Sequence, residues 1–271
     1  MRRFPISVTV AGIWLLLILL LTLTATWLPL KDPSSQSLMG MLAEPNGEHW
    51  LGADSLGRDI FSRIIHGFQI TWAVSLGSVI LGLLVGGVLG ICAGFFRGWT
   101  ERIILTGTNI LLAFPPLVLI IAMVAYPGQA LLKVIIALGI VFIPSFTRIA
   151  RANTLRFSEQ EFVTAARAAG MGNTRLIARE LLPNLVPSLL AYSLLVLAVA
   201  AVAEAGLSFL GLGVPPPTPS LGTMMASEQA NVMMAPHAVF FPAIALLVTI
   251  FALNVIGEEV QRRIDRRGSA A

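Results

Sequence analysis

The stretch SEQEFVTAARAAGMGNTRLIARELLP, residues 158–183, is a polar island in an otherwise apolar chain. It holds six charged residues, Glu159, Glu161, Arg167, Arg175, Arg179 and Glu180, with Arg156 just upstream. Ser158 and Glu161 have the spacing of a capping box, in which hydroxyl and carboxylate satisfy the backbone N–H groups of a helix start. The alanine-rich run that follows favours helix. Gly170 suits the left-handed conformation that ends a helix, and Asn173 suits the cap of a second one. Pro183 falls where that second helix should end. The island therefore reads as helix, tight turn, helix, lying outside the membrane between two spans, and as a docking element for a partner.

Composition around the island sets the class. The chain has 271 residues, 56% hydrophobic and 12% charged, with a mean hydropathy of +0.84. Soluble domains carry about 25% charged residues, so this reads as an all-α integral membrane protein. The net charge of +4 is spread too thinly for a nucleic-acid surface. The single Cys92 lies in a hydrophobic run, which excludes a disulfide framework or cysteine-based metal site within one chain. His49, His66 and His237 match no metal-ligand spacing.

Six apolar runs flank the island, each long enough to span a bilayer at about 1.5 Å per residue. On its N-terminal side these are Ile6–Leu28, Ile70–Phe96, Ile103–Tyr126 and Ala130–Ile149; on its C-terminal side, Val186–Leu210 and His237–Gly257. The first follows Arg2 and Arg3 like a signal peptide but exceeds the usual 7–15-residue apolar core, so it reads as a retained span. In the second, Ser78, Gly82, Gly86, Gly90 and Gly94 recur every four residues and draw a small-residue stripe for close helix approach. Pro115 and Pro116 should kink the third, and Pro127-Gly128 reads as a turn. In the segment 29–68, Asp54, Arg58, Asp59 and Arg63 alternate in sign at helical spacing and read as surface ion pairs. Glu204 falls toward the far end of the fifth span. It reads either as a functional pathway residue or as a protonated, headgroup-level or hydrogen-bonded buried carboxyl. Residues 211–236 form a Gly/Pro-rich loop with one charge, Glu228, and the polar tail should end disordered.

Six spans put both termini on one side. That side would collect Arg2, Arg3, Arg97, Arg102, Arg148, Arg151, Arg156, Arg167, Arg175, Arg179, Arg262, Arg263, Arg266 and Arg267, which is 14 of the 18 basic residues. The positive-inside rule makes it cytoplasmic. The island then lies in the cytoplasm, while 29–68 and 211–236 face outward. Only two lysines occur, Lys31 and Lys133, neither in a phosphate-binding loop. Charges within the spans are nearly absent, which disfavours ion-coupled transport, and no catalytic pair is evident. These features suit a pore-forming subunit driven by a docked partner. A self-sufficient secondary transporter or channel is the alternative from another class.

The island resembles the EAA loop of ABC importer permeases, whose pattern is Glu-Ala-Ala, three residues, Gly, nine residues, Ile-x-Leu-Pro. Thr164-Ala165-Ala166, Gly170 and Leu182-Pro183 match its spacing; Thr164 replaces the Glu and Glu180 the Ile. HWLGADSLGRDIFSR (49–63), LSFLGLGVPPPTPSLG (207–222) and FPAIALLVTIFALNVIGEEVQRRIDRR (241–267) resemble the dipeptide, oligopeptide and nickel branch, in particular its second, C-type permease. The resemblance implies a type I importer fold in the bacterial inner membrane, with a first helix and extracytoplasmic segment over 1–69, a five-helix transporter domain over 70–259 and a cytoplasmic tail over 260–271. It implies a non-catalytic subunit that pairs with a second permease, two ATPase subunits and an extracytoplasmic binding protein. ATP and Mg would sit on the ATPases, with no cofactor on this chain. Thr164, Ala165, Ala166, Gly170, Leu182 and Pro183 would form the ATPase-coupling turn. Peptides are the expected cargo, with nickel or a metal chelate as the alternative.

Overall fold

A backbone crossing hydrocarbon has to satisfy its own N–H and C=O groups, so the apolar runs fold as helices. The computed structural model describes residues 6–125 and 128–268. Arg2 and Arg3, the Pro127 half of the expected turn, the side chains of Arg266 and Arg267 and residues 269–271 of the tail lie outside the described residues. The helices are α1 (Ile6–Leu23), α2 (Ile60–Phe96), α3 (Gly98–Ala113), α4 (Pro116–Val124), α5 (Ala130–Ser158), α6 (Glu161–Ala168), α7 (Asn173–Leu176), α8 (Leu182–Phe209), α9 (Leu221–Glu228) and α10 (Pro236–Gly268). The only β-pairing among the described residues is one isolated bridge, Ala53 with Asp59.

Five helices are individually long and apolar enough to cross a membrane: α1, α2, α5, the continuous helix Asn173–Phe209, and α10. The sixth crossing exists if α3 and α4 count as one, and they are bent by 83°. The kink expected in this span is thus a full break. Phe114 is extended at φ −82°, ψ 131° because a residue before proline avoids helical geometry, and Pro116 then starts α4. α10 continues through Gly268 into the polar tail, whose end, expected to be disordered, lies at residues 269–271 outside the described residues. Glu259 receives Arg263 at 2.7 Å one helical turn on, which supports that extension.

Two compact units divide the chain. One gathers Met1–Leu76, Val124–Ile135 and Leu197–Ile256. Its core packs Ile18 of α1 with Ile60, Ile64 and Phe68 of α2, Ala201 and Ala205 of α8, Leu221 of α9 and Leu246 of α10. That packing explains why α2 begins ten residues before the apolar run: Ile60, Ile64 and Phe68 recur at four-residue intervals and bury one face. Trp14 Nε1 donates to Thr249 Oγ1 at 3.0 Å, pinning α1 to α10.

The other unit gathers Gly77–Met123, Ile136–Val196 and Gly257–Ala271. Here the small-residue stripe of α2 meets α5. A Cβ on Gly86 would come within 2.8 Å of Phe146 Cβ; on Gly90, within 2.6 Å of Ala150 Cβ; on Gly94, within 2.8 Å of Thr154 Cβ. No real Cβ tolerates such distances. The stripe was legible in the sequence, and the fold supplies its partner.

Candidate functional site

The island lies in this second unit. Ser158 is the last residue of α5, and its hydroxyl donates back to the Leu155 carbonyl at 2.9 Å. The expected capping box therefore does not form, because α5 runs on through the position that would have capped the next helix. Gln160, extended and without a side-chain cap bond, precedes α6 instead. The end of α6 is as expected. Gly170 has φ +79°, its N–H donates to Arg167 O at 2.9 Å, and the Met171 N–H donates to Ala166 O at 3.1 Å. These two bonds make a Schellman motif, which satisfies carbonyls left over at the helix end. A side chain at Gly170 would meet no atom within 4 Å, so the demand for glycine is conformational, worth about 1–2 kcal/mol.

The second helix departs from expectation at both ends. Gly172 is its N-cap and Asn173 its first helical residue. Pro183 does not terminate it, because a widened π turn over Ile177–Leu181 leads into α8. The Leu182 N–H donates to Ile177 O, five residues back. This shift accommodates a proline, which has no N–H for the helical ladder. Asn184 Nδ2 also donates to Glu180 O at 2.7 Å.

One face of the island is fastened to the unit's core. Val163, Leu176, Leu181 and Leu185 are buried with Ile91, Phe95, Ala150 and Leu189, and Ala166 and Met171 pack against them. Burying a valine side chain is worth about 1.5–3 kcal/mol. The Arg97–Glu159 ion pair, 2.9 Å long but exposed, is worth no more than about 1 kcal/mol. Val163 is thus the stronger anchor, assisted by the Arg167 guanidinium 5.3 Å above the Phe95 ring. The opposite face carries Thr164, Ala165 and Gly170, all exposed, as are Leu182 and Pro183. Ala166 alone among the expected coupling residues turns inward. Glu180 is half-buried.

Glu204 is held elsewhere, in the first unit. Its side chain is 1% exposed. Thr71 Oγ1 donates to its Oε2 at 2.8 Å and Ser208 Oγ to its Oε1 at 2.7 Å. The carboxyl of Glu204 is thus buried and hydrogen-bonded through both oxygens. The Asp54 group needs correction, because all four residues are buried. Asp54 Oδ2 accepts from Arg58 Nε at 2.7 Å, and its Oδ1 accepts the N–H groups of Leu56 and Arg58, both at 2.9 Å. Asp59 pairs with His49 Nδ1 at 2.9 Å and accepts the Ser62 N–H at 2.8 Å. Alternating charges at helical spacing look the same on a surface and in a folded loop, and only the chain packed over them distinguishes the two. Glu228, the lone charge of the 211–236 loop, is likewise 1% exposed and accepts Ser55 Oγ at 2.7 Å. Its solitude among Gly and Pro was the one signal of that role. Among the described residues, no three His, Cys, Asp or Glu cluster as metal ligands.

What this arrangement offers is a fastened helix with a small-residue outer face beside membrane-crossing helices. Comparisons with known proteins bear on it directly. Residues 82–269 match the family described as the binding-protein-dependent transport system inner membrane component. The glutathione transport system permease protein GsiD of Pectobacterium atrosepticum is 37% identical over 256 residues, covering 94% of this chain and 85% of the relative. GsiD of Escherichia coli is 37% identical over 265 residues, covering 97% and 87%. Among solved structures, an inward-facing form of the MetNI methionine ABC transporter matches with a TM-score of 0.63 at 18% identity, covering 76% of this chain and 97% of that one.

Proposed function

Since this chain belongs to the binding-protein-dependent transport system inner membrane components, permease subunits of ABC importers in the bacterial inner membrane, we propose that it forms a pathway for small peptides and is driven through its 158–183 island. The observation that carries the coupling role is α6, seated on the core through Val163 with Thr164, Ala165 and Gly170 turned outward. Small outward residues allow a helix to sit deep in a partner's cleft, and Gly170 permits the sharp reversal. Ala166 supports that surface from behind, packed on the core, and Leu182 and Pro183 are exposed at the start of α8.

The charge asymmetry supports an orientation with the island and both termini in the cytoplasm. The partners are then a second permease, two ATPase subunits that bind ATP and Mg, and an extracytoplasmic binding protein. This chain itself is non-catalytic and holds no cofactor. The transporter domain is assigned to 70–259, with 1–69 as first helix and extracytoplasmic segment and 260–271 as tail. Peptide cargo rests on the relatives, which are named for transport of glutathione, a tripeptide.

The test is co-expression with the ATPase and second permease of the same import system. Ala165→Trp adds bulk only to the outer face, so the complex should insert normally while ATPase co-purification and ATP-driven uptake fall at least about tenfold, the scale of one lost hot-spot contact. Unimpaired uptake by that variant would refute the coupling role. Ion-gradient-driven uptake by liposomes holding this chain alone would refute the ATP-driven reading altogether.

A further inference from the structure

Arg148 lies at the end of the apolar run 130–149 of α5 and is exposed. Its Nη2 donates to Asn109 Oδ1 of α3 at 3.2 Å. Arg151, on the next turn of α5, is neutralised by Glu101, whereas an amide oxygen leaves the charge of Arg148 unmatched. A guanidinium has several N–H donors in a fixed fork, so Arg148 keeps donors for a further acceptor. Asn109 itself belongs to a polar face of α3. Arg102, Thr106 and Asn109 recur at helical spacing, which stacks them on one side of the helix, and all are exposed. The same helix then breaks. Pro115 and Pro116 bring no N–H, so the carbonyls of Leu111 and Leu112 lack their helical donors.

Hydrocarbon can satisfy none of these groups. Polar side chains and interrupted backbone at membrane depth line a water-filled cavity or are buried in protein. The unmatched charge favours water, because the cores of protein interfaces are depleted in charged residues. What passes along such a face must itself be soluble. A peptide's side chains vary, but its free end brings a carboxylate, and a guanidinium meets a carboxylate with paired N–H donors. A contact to that end alone serves peptides of any sequence.

We propose that the Arg102–Thr106–Asn109 face of α3, together with Arg148 of α5, lines the aqueous translocation path, and that Arg148 takes the terminal carboxylate of a passing peptide. Asn109 holds the guanidinium in place between passages. This rests on the peptide-pathway reading and adds to it the residues that touch the cargo. It does not depend on the coupling role of the island.

The assembled import complex, carrying Thr106→Cys in a Cys92→Ser background, is placed in phosphatidylcholine nanodiscs without ATP. It is treated with anionic sulfonatoethyl or cationic trimethylammonioethyl methanethiosulfonate, and labelling of this chain is followed by mass spectrometry. Both reagents should react, the anionic one faster by about tenfold, the effect of one charge across about 10 Å of partly wet interior. Arg148→Gln should remove most of that preference and Arg148→Lys keep it. Asn109→Asp, which neutralises Arg148 in place, should act like the glutamine variant and serves if that one fails to assemble. Trialanine should slow the labelling, and its C-terminal amide should not. No labelling of Thr106→Cys, an unchanged preference in both Arg148→Gln and Asn109→Asp, or equal protection by the amide overturns the proposal. So does a preference that collapses when phosphatidylglycerol is added, which would give Arg148 to a lipid headgroup. Peptide uptake by the wild-type complex separates the two levels: uptake alongside any of these failures removes only the Arg148 contact, whereas no uptake of any peptide removes the peptide pathway itself.

Discussion

Glu204 and Gly170 are both single residues whose type is dictated by surroundings, but by different forces. At Glu204 the force is hydrogen bonding at a buried position, where the Thr71 and Ser208 hydroxyls each donate to one carboxyl oxygen. Hydrogen bonds between membrane helices average about 0.6 kcal/mol and reach about 1.7, so Glu204→Ala should cost about 1–2 kcal/mol in all. Glu204→Gln keeps an acceptor and should cost less, and it should leave uptake near wild type. Melting in detergent together with an uptake assay checks both. A glutamine variant that melts normally yet fails to transport would instead make Glu204 a pathway charge. At Gly170 the force is backbone strain alone, since the space around it is open. Both positions were flagged by residue type, while the two hydroxyl partners of Glu204 came only with the fold.

Between elements, backbone approach decides most of the packing. The stripe from Ser78 to Gly94 was plain in the sequence, yet any span could have been its partner; the fold selects α5. The consequence is a contrast within α2. Gly90→Leu would drive a Cβ into Ala150 Cβ and the Thr147 carbonyl, whereas a Cβ on Gly87 meets only Leu83 Cδ1 at 4.0 Å. The first should destabilise by about 3 kcal/mol, and Gly87→Leu by a few tenths. Thermal unfolding of the two variants in the same detergent tests this, and equal melting would mean that α2 and α5 do not pack through the stripe. Helix ends were less legible than helices. The Ser158–Glu161 spacing fits a capping box, but α5 takes Ser158 into its own last turn, and a local pattern cannot reveal how far the preceding helix runs. Pro183 fits a helix end equally well, until a π turn five residues long lets the helix pass it.

For the whole molecule, the organising property is the asymmetry of charge. If the island side is cytoplasmic, a cysteine at Thr174 in a Cys92→Ser background should react with a membrane-impermeant maleimide only after cells are opened. A cysteine at Ser34 should react in intact cells. Reversed labelling would invert the orientation, and labelling of both from outside would mean that the bent α3–α4 pair does not complete a crossing. That pair is where counting spans from sequence is weakest: 83° of bend separates helices of 16 and 9 residues, and hydropathy sums over both without registering the angle.

By itself, the amino-acid sequence determined that the chain is helical and membrane-embedded, where its spans lie, that a polar island interrupts them, and which glycine reverses it. Those properties follow from composition and local periodicity, which act over a few turns of chain. Only the tertiary structure decided that α5 fills the groove of α2, that Val163 and Ala166 face inward while Thr164 and Ala165 face out, and that Asp54, Arg58, Asp59, Arg63 and Glu228 are buried. Burial depends on what distant segments cover, and the same charges at the same spacing serve a surface or an interior until those segments arrive.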